Sequence, residues 1–231
     1  MVPSEFPEVQ QYPMLKQMLQ AQVDMQIEDV RALLRLPLQE AGVAGCNFST
    51  AAIILNIIAG ASVCLYEAST SSLAERGNRG DRFRSLVMTY YPSGEVLAPA
   101  ELASVLYDAA RNPLAHSLGF SYREDQAGTR VAILKDPLTP DQVAELESSD
   151  SRPRWLPPTV SRSDLSDGTV EYRLSVPTLY WGLHRMLHSL LSDPLQVSKA
   201  DAMAESLRSS WTREVRDSAH ATDSISVNRL P

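Results

Sequence analysis

Apolar residues recur at three- and four-residue steps over much of the chain, the spacing that puts them on one side of a helix. Leu15, Met18, Leu19, Val23, Ile27, Val30, Leu33 and Leu34 predict an amphipathic helix over residues 9–36, ended by Pro37. Gly42 and Gly45 make a flexible link, and Asn47 or Ser49 is placed to cap a second helix reaching about Ala68. Residues 48–66 of that helix carry no charge. Two long helices with a short link predict an antiparallel pair. A charge-free helix in a soluble chain has to be covered on most sides, so Ile53, Ile54, Leu55, Ile57, Ile58, Val63 and Leu65 are expected in the core, with Leu106. Residues 69–80 are small and polar and predict a loop. Residues 81–91 follow as a short helix closed by Pro92, and Pro99 opens another, with Leu97 or Ala98 before it and Glu101 in its first turn.

After residue 120 the pattern changes. Residues 129–134, Thr-Arg-Val-Ala-Ile-Leu, predict a strand, Thr139-Pro140-Asp141 starts a helix through about Ser148, and residues 152–158 read as an extended linker. Residues 159–161 and 169–176 flank Asp167-Gly168, a hairpin signal. Pro177 introduces a helix over 178–192, and Ser198 is placed to cap a last one in which Met203, Leu207, Trp211 and Val215 recur every four residues. The expected fold is mainly α: an antiparallel bundle of four to five helices, residues 1–119 and 177–217, with an inserted α+β lobe over 120–176 and a disordered polar tail over 218–231.

Composition narrows the function. The chain has 231 residues, 44% of them hydrophobic, enough for a real core. Its formal net charge of −7 gives no general attraction to nucleic acid, so any RNA site has to be a local basic patch. The densest such cluster is Arg76, Arg79, Arg82 and Arg84, a candidate set of phosphate contacts; its plainer reading is a solvated face balanced by Glu75 and Asp81. Met14, Met18 and Met25 suit core filling more than an adaptable binding surface. Cys46 and Cys64 have no metal-ligand spacing and read as buried free thiols of a reducing compartment. Residues 1–8 lack the basic start and apolar centre of a signal peptide, and Ser49, Thr50, Asn56, Gly60 and Ser62 dilute the second helix as a membrane span, so the expectation is a cytoplasmic protein. No Gly-rich phosphate loop occurs. His184 and His188 stand four apart without an acidic residue between them, and no metal or cofactor is expected.

The chemistry concentrates at Arg111-Asn112-Pro113-Leu114-Ala115-His116, below the apolar run Leu102, Val105, Leu106, Ala109, Ala110. A residue before proline is disfavoured in the helical conformation, so Asn112 is expected to leave the helix and cap a new turn with Pro113 in its first position. Five residues along one unbroken helix would hold Arg111 and His116 roughly 140° apart, and a break or a two-fold partner can bring them together. Individually, Arg111 can bond the last carbonyls of its helix, Asn112 can cap the next, and His116 can be a satisfied residue of the following turn.

Together these residues resemble the Arg-x4-6-His signature of HEPN domains, small helical bundles found in many prokaryotic RNases, toxins and antiviral proteins, in which Asn often follows the Arg. The resemblance covers the helical segments within 1–120 and 177–217. Some family members carry Tyr two residues after the His, and Leu118 stands there in this chain. The resemblance implies a metal-independent endoribonuclease acting as a homodimer, with Arg111, Asn112 and His116 catalytic at the two-fold interface. It also implies a toxin or defence role with a cognate inhibitor protein. The competing expectation is a non-catalytic helical protein that binds a protein partner or a nucleotide.

Overall fold

The structure is a computed structural model that describes residues 2–36, 46–66, 78–92, 96–112, 114, 129–134 and 137–209. It is mainly helical, with one small three-stranded sheet. The predicted 37–45 link, most of the 69–80 loop and the segments around Trp211, Val215 and 218–231 lie outside the described residues.

The first helix begins later than its apolar spacing predicts. Residues before it form two tight 3-10 turns, Pro3–Glu5 and Pro7–Gln11, and the α-helix α1 spans Pro13–Leu19. Each of the three opens on a proline, whose fixed φ suits a first helical position and whose missing N–H costs nothing there. A π-helical stretch, Gln20–Asp24, joins α1 to α2 (Met25–Leu34). The start of α1 is tied across the chain: Asp201 accepts from the Leu15 N–H at 2.8 Å. Met18 packs against the core and Met14 is half-buried, but Met25 is 66% exposed, so core filling holds for only part of the methionine group.

Helix α3 spans Asn47–Cys64, ending short of Ala68. Asn47 lies inside it rather than capping it; Cys46 precedes it at φ 57°, and the buried Asn47 amide donates to the Ile133 carbonyl at 3.4 Å. Ile54, Leu55, Ile57, Ile58, Leu65 and Leu106 are buried as expected. Ile53 is only partly buried and Val63 is 39% exposed. These exceptions mark a face through Phe48, Ser49, Asn56, Gly60 and Val63 that no described element covers. The helix is long and apolar enough to cross a membrane by length and composition alone, and half of it is buried within the fold. Cys46 is exposed and Cys64 half-buried, so both thiols are free but neither is the fully buried cysteine expected.

Asn78 caps α4 (Arg79–Tyr90), its side chain accepting from the Asp81 N–H at 3.0 Å. Pro99 starts α5 (Pro99–Ser104) as predicted, with Ala98 before it. After the strand β1 (Thr129–Leu134), α6 (Pro140–Ser148) opens with a reciprocal cap in which Thr139 and Gln142 bond each other's backbone N–H groups. Strands β2 (Val160–Asp164) and β3 (Val170–Ser175) form the predicted antiparallel hairpin, and β1 pairs parallel to β3, giving the order β1-β3-β2. Gly168 turns the hairpin at φ 83°, where a residue without Cβ meets no steric penalty.

Strand β3 passes directly into α7 (Val176–Leu191), capped by Ser175. This helix, not α3, is the most covered in the fold: Leu179, Tyr180, Leu183, Met186 and Leu190 are fully inaccessible, and α3, α4, α6 and β3 all pack on it. Gly182 permits the closest of these contacts, because a Cβ there would fall on the Tyr91 ring, whose hydroxyl bonds Thr159 at 2.9 Å. The last helix begins at residue 194 rather than at Ser198. Asp193 is its cap, accepting from Leu195 N–H at 3.0 Å and Gln196 N–H at 3.4 Å, with Pro194 in the first position.

Arg82 closes α3 from outside. Its Nε donates to the Ser62 carbonyl at 2.9 Å, and Nη2 to Val63 at 3.3 Å and Tyr66 at 2.8 Å, satisfying carbonyls that a helix end leaves orphaned. Arg82→Ala is therefore expected to cost about 1–3 kcal/mol in urea unfolding, whereas exposed Arg79→Ala should stay within about 0.5 kcal/mol. Equal effects of the two substitutions would remove Arg82 as a structural cap.

Candidate functional site

The helix that carries Arg111 changes character as it approaches the motif. Beyond α5 the residues Val105–Arg111 continue as a π-helix, and the Asn112 N–H donates to the Tyr107 carbonyl five residues back. Asn112 itself keeps helical angles, φ −63° and ψ −49°, so it does not leave the helix as Pro113 suggested. The disfavoured helical residue before proline is accommodated by widening the turn rather than by breaking it at Asn112. π-Turns of this kind cost hydrogen-bond geometry and recur at functional sites.

Tyr107 is the centre of the local packing. Its ring lies 5.2 Å from the Phe83 ring on α4 and fits over Gly80, where an added Cβ would approach it to 2.7 Å. Two guanidinium groups attend the ring: Arg84 at 4.9 Å from its centroid and Arg111 at 5.9 Å. Arg84 is fixed by Asp108 at 2.7 Å and Asp81 at 3.1 Å, both partly exposed. Arg111 is half-buried and donates to the Asn112 side-chain oxygen at 3.3 Å.

Of the residues singled out by sequence, the fold thus brings together Arg84, Arg111 and Asn112. Arg82 points the other way, onto the end of α3, and Arg79 is exposed at the start of α4. His116 and Arg76 lie outside the described residues. Tyr107 was missed. Its signal was present: it stands one helical turn before Arg111, where an aromatic ring and a guanidinium meet.

A second polar cluster lies among α2, α6 and α7, with Tyr180 and His184 buried and Arg31 and Glu147 partly buried. Glu147 accepts both arms of Arg31, at 2.5 and 2.8 Å, and the Tyr180 hydroxyl at 2.6 Å. His184 Nε2 lies 3.2 Å from that hydroxyl. Burial alone would raise the Glu147 pKa, but the hydrogen bonds from Arg31 and Tyr180 outweigh it and hold the carboxyl below its usual range. Burial pushes His184 down to about 4, only partly offset by the Glu147 charge, so it is a neutral imidazole at pH 7. His188, one turn on, is exposed with its ring edge-on to Phe6 at 5.3 Å. The pair therefore serves two different environments. No group of three or more His, Cys, Asp or Glu side chains fit to hold a metal occurs among the described residues.

Two measurements probe these clusters. Gly80→Ala should cost about 1–3 kcal/mol by driving a methyl into the Tyr107 ring, and Tyr107→Ala should remove most of that penalty in a double-mutant cycle; simple additivity would mean that the ring does not sit there. For the buried cluster, both folded-state pKa values lie below their unfolded values. Stability is therefore complete above about pH 6.5 and falls with acid, through His184 down to about 4 and through Glu147 below its ordinary range. The melting temperature should drop from pH 6.5 to 4, with a His184 contribution on the order of 3 kcal/mol. His184→Gln should flatten that slope, and an unchanged slope would assign the acid lability elsewhere.

Comparison of the chain with known protein families, with curated proteins and with solved structures finds no match to any of them.

Proposed function

We propose that this chain is a HEPN-like, metal-independent endoribonuclease acting as a homodimer, its helices forming the antiparallel bundle of that family. The observation that carries the reading is the meeting of Arg84 and Arg111 on Tyr107 at a π-turn: the motif Arg and a member of the basic cluster, 27 residues apart in sequence, share one aromatic platform. A two-fold arrangement would face two Arg111 and two His116 across one cleft. A neutral His116 imidazole takes the proton of a ribose 2′-hydroxyl as that oxygen attacks the adjacent phosphorus; the P–O5′ bond breaks, leaving a 2′,3′-cyclic phosphate, and the departing 5′-oxygen is protonated by the imidazolium so formed or by water. Arg111 holds the non-bridging oxygens while charge grows on them, and Asn112 orients the Arg or the phosphate. Exposed Arg79 and the neighbouring Arg76 supply flanking phosphate contacts, and Arg84 reinforces the platform. A toxin or defence role in the cytoplasm, held in check by an inhibitor protein, accords with this chemistry.

The second reading, a non-catalytic helical protein that binds a protein partner or nucleotide, draws on the same arginines. Arg82 and Arg84 are already engaged by carbonyls and carboxylates of their own chain, as a structural role requires.

The two readings separate cleanly. Arg111→Ala and His116→Ala should each lower RNA cleavage by about 10²- to 10⁴-fold, with the melting temperature nearly unchanged. Cleavage should persist in EDTA. A folded, dimeric wild type inert towards every RNA tried, with variants that melt early, would instead support the non-catalytic protein.

A further inference from the structure

On another part of the molecule a cleft of about 430 Å³ opens between the end of α4, the residues that follow α6 and the face of α7 that carries Trp181, Arg185 and His188. The volume lies within the usual range for small-molecule sites. Arg152, Arg185 and His188 line it, with Tyr90, Asp150 and Ser189. Arg185 and His188 stand three apart on α7 and so share a face of that helix, while Arg152 arrives from the segment after α6. Two guanidiniums and an imidazole against the single carboxylate of Asp150 make this concavity locally basic in a chain of formal charge −7.

The state of Arg185 indicates what such a cleft receives. Its Nη2 donates to the Glu147 carbonyl at 2.9 Å, which fixes the guanidinium, and its Nη1 donates to Asp150 at 2.6 Å. The Asp150 side chain is 95% exposed, so the pair is strongly screened and the carboxylate is held in place by little else. An anion that offers more acceptors, and also meets Arg152 and His188, can take its place. Three donors from two segments match the three terminal oxygens of a phosphate monoester better than the two of a carboxylate. Ser151 and Ser189 on the walls offer hydroxyl groups to the remainder of the ligand, beside the ring surfaces of Pro92 and Trp181.

We propose that this cleft binds a small phosphate monoester with a hydroxylated body, its phosphate displacing Asp150 from Arg185 and bridging to Arg152 and His188. The site stands apart from the Tyr107 platform and is independent of any RNA cleavage there.

Isothermal titration calorimetry on the full chain with glucose 6-phosphate, inorganic phosphate and glucose tests it. Saturable binding of glucose 6-phosphate is expected, weaker binding of inorganic phosphate at the same site by competition, and none of glucose. Asp150→Asn, at a fully exposed position, should tighten glucose 6-phosphate binding, and Arg152→Ala and His188→Ala should each weaken it by about tenfold. Arg130→Ala, at an exposed position on β1 that does not line the cleft, should leave it unchanged. Absence of saturable binding by either phosphate compound, equal binding of glucose, or equal losses in Arg130→Ala and Arg152→Ala would each overturn the assignment. Melting curves of the variants exclude unfolding as the cause of a loss.

Discussion

One partly buried carboxylate joins three helices that are far apart in the chain. Glu147 sits at the end of a nine-residue helix, accepts a two-armed contact from Arg31 on α2 and a hydroxyl from Tyr180 on α7, and its own carbonyl receives Arg185. A helix of that length is not stable alone in water. Desolvating the carboxylate is costly unless each lone pair finds a donor, and here the donors come from two other helices. Pairing therefore does more than neutralise a charge: it helps set where α6 lies against α2 and α7, beside the Leu138 N–H that donates to the Leu34 carbonyl at 3.0 Å. Trp181 adds to this by donating to the Ser149 carbonyl at 3.1 Å.

The same logic of satisfied polar groups positions the motif helix. Glu101, in the first turn of α5, receives Tyr172 of β3 at 3.4 Å and Arg162 of β2 at 3.5 Å, so the small sheet is fastened to the start of the helix whose far end carries Arg111. β3 then runs into α7 without a loop, which makes the sheet and the most buried helix one continuous support. Between these fixed points the chain absorbs its irregularity in the π-turn at Val105–Arg111, and Tyr107 takes up the slack by filling the space over Gly80. The departure from regular helix thus coincides with the place where Arg84 and Arg111 meet the Tyr107 ring.

Elements governed by neighbours in sequence were legible. Thr139 with Gln142, Asp167 with Gly168, and Pro99 each act within a few residues, and each fixed its element where expected. Asp193 before Pro194 was equally local and went unread in favour of Ser198. What the sequence could not yield was set by distant partners. Arg31 and Glu147 are 116 residues apart, and no periodicity announces that one will be buried against the other. Charge content also misled: α7, with two histidines and an arginine, is more completely covered than the charge-free α3, with His184 bonded to Tyr180 and Arg185 to the Glu147 carbonyl. At the motif, the proline rule foretold a disturbance but not its form, since a helix can widen as well as stop.

The arginines also set the limit on how such an acidic chain could hold RNA. Arg82 spends its donors on the end of α3, Arg84 on Asp108 and Asp81, Arg31 on Glu147, and Arg185 on Asp150 and a carbonyl. Arg31 and Arg84 are neutralised by carboxylates where they stand, while Arg82 and Arg185 give donors to carbonyls of the fold. Affinity for a polyanion rises with the number of phosphates a protein neutralises, so each arginine committed within the fold is one fewer for tracking a long strand. A cleft with one Arg111 from each of two copies, and Arg79 beside it, would grip a short stretch of backbone, and binding would then depend more on the geometry of the reacting phosphate than on bulk attraction. For a ribonuclease in a chain of formal charge −7, selectivity would have to come from the shape of an exposed loop or end of the RNA, which presents a phosphodiester to two converging sites without a long electropositive track.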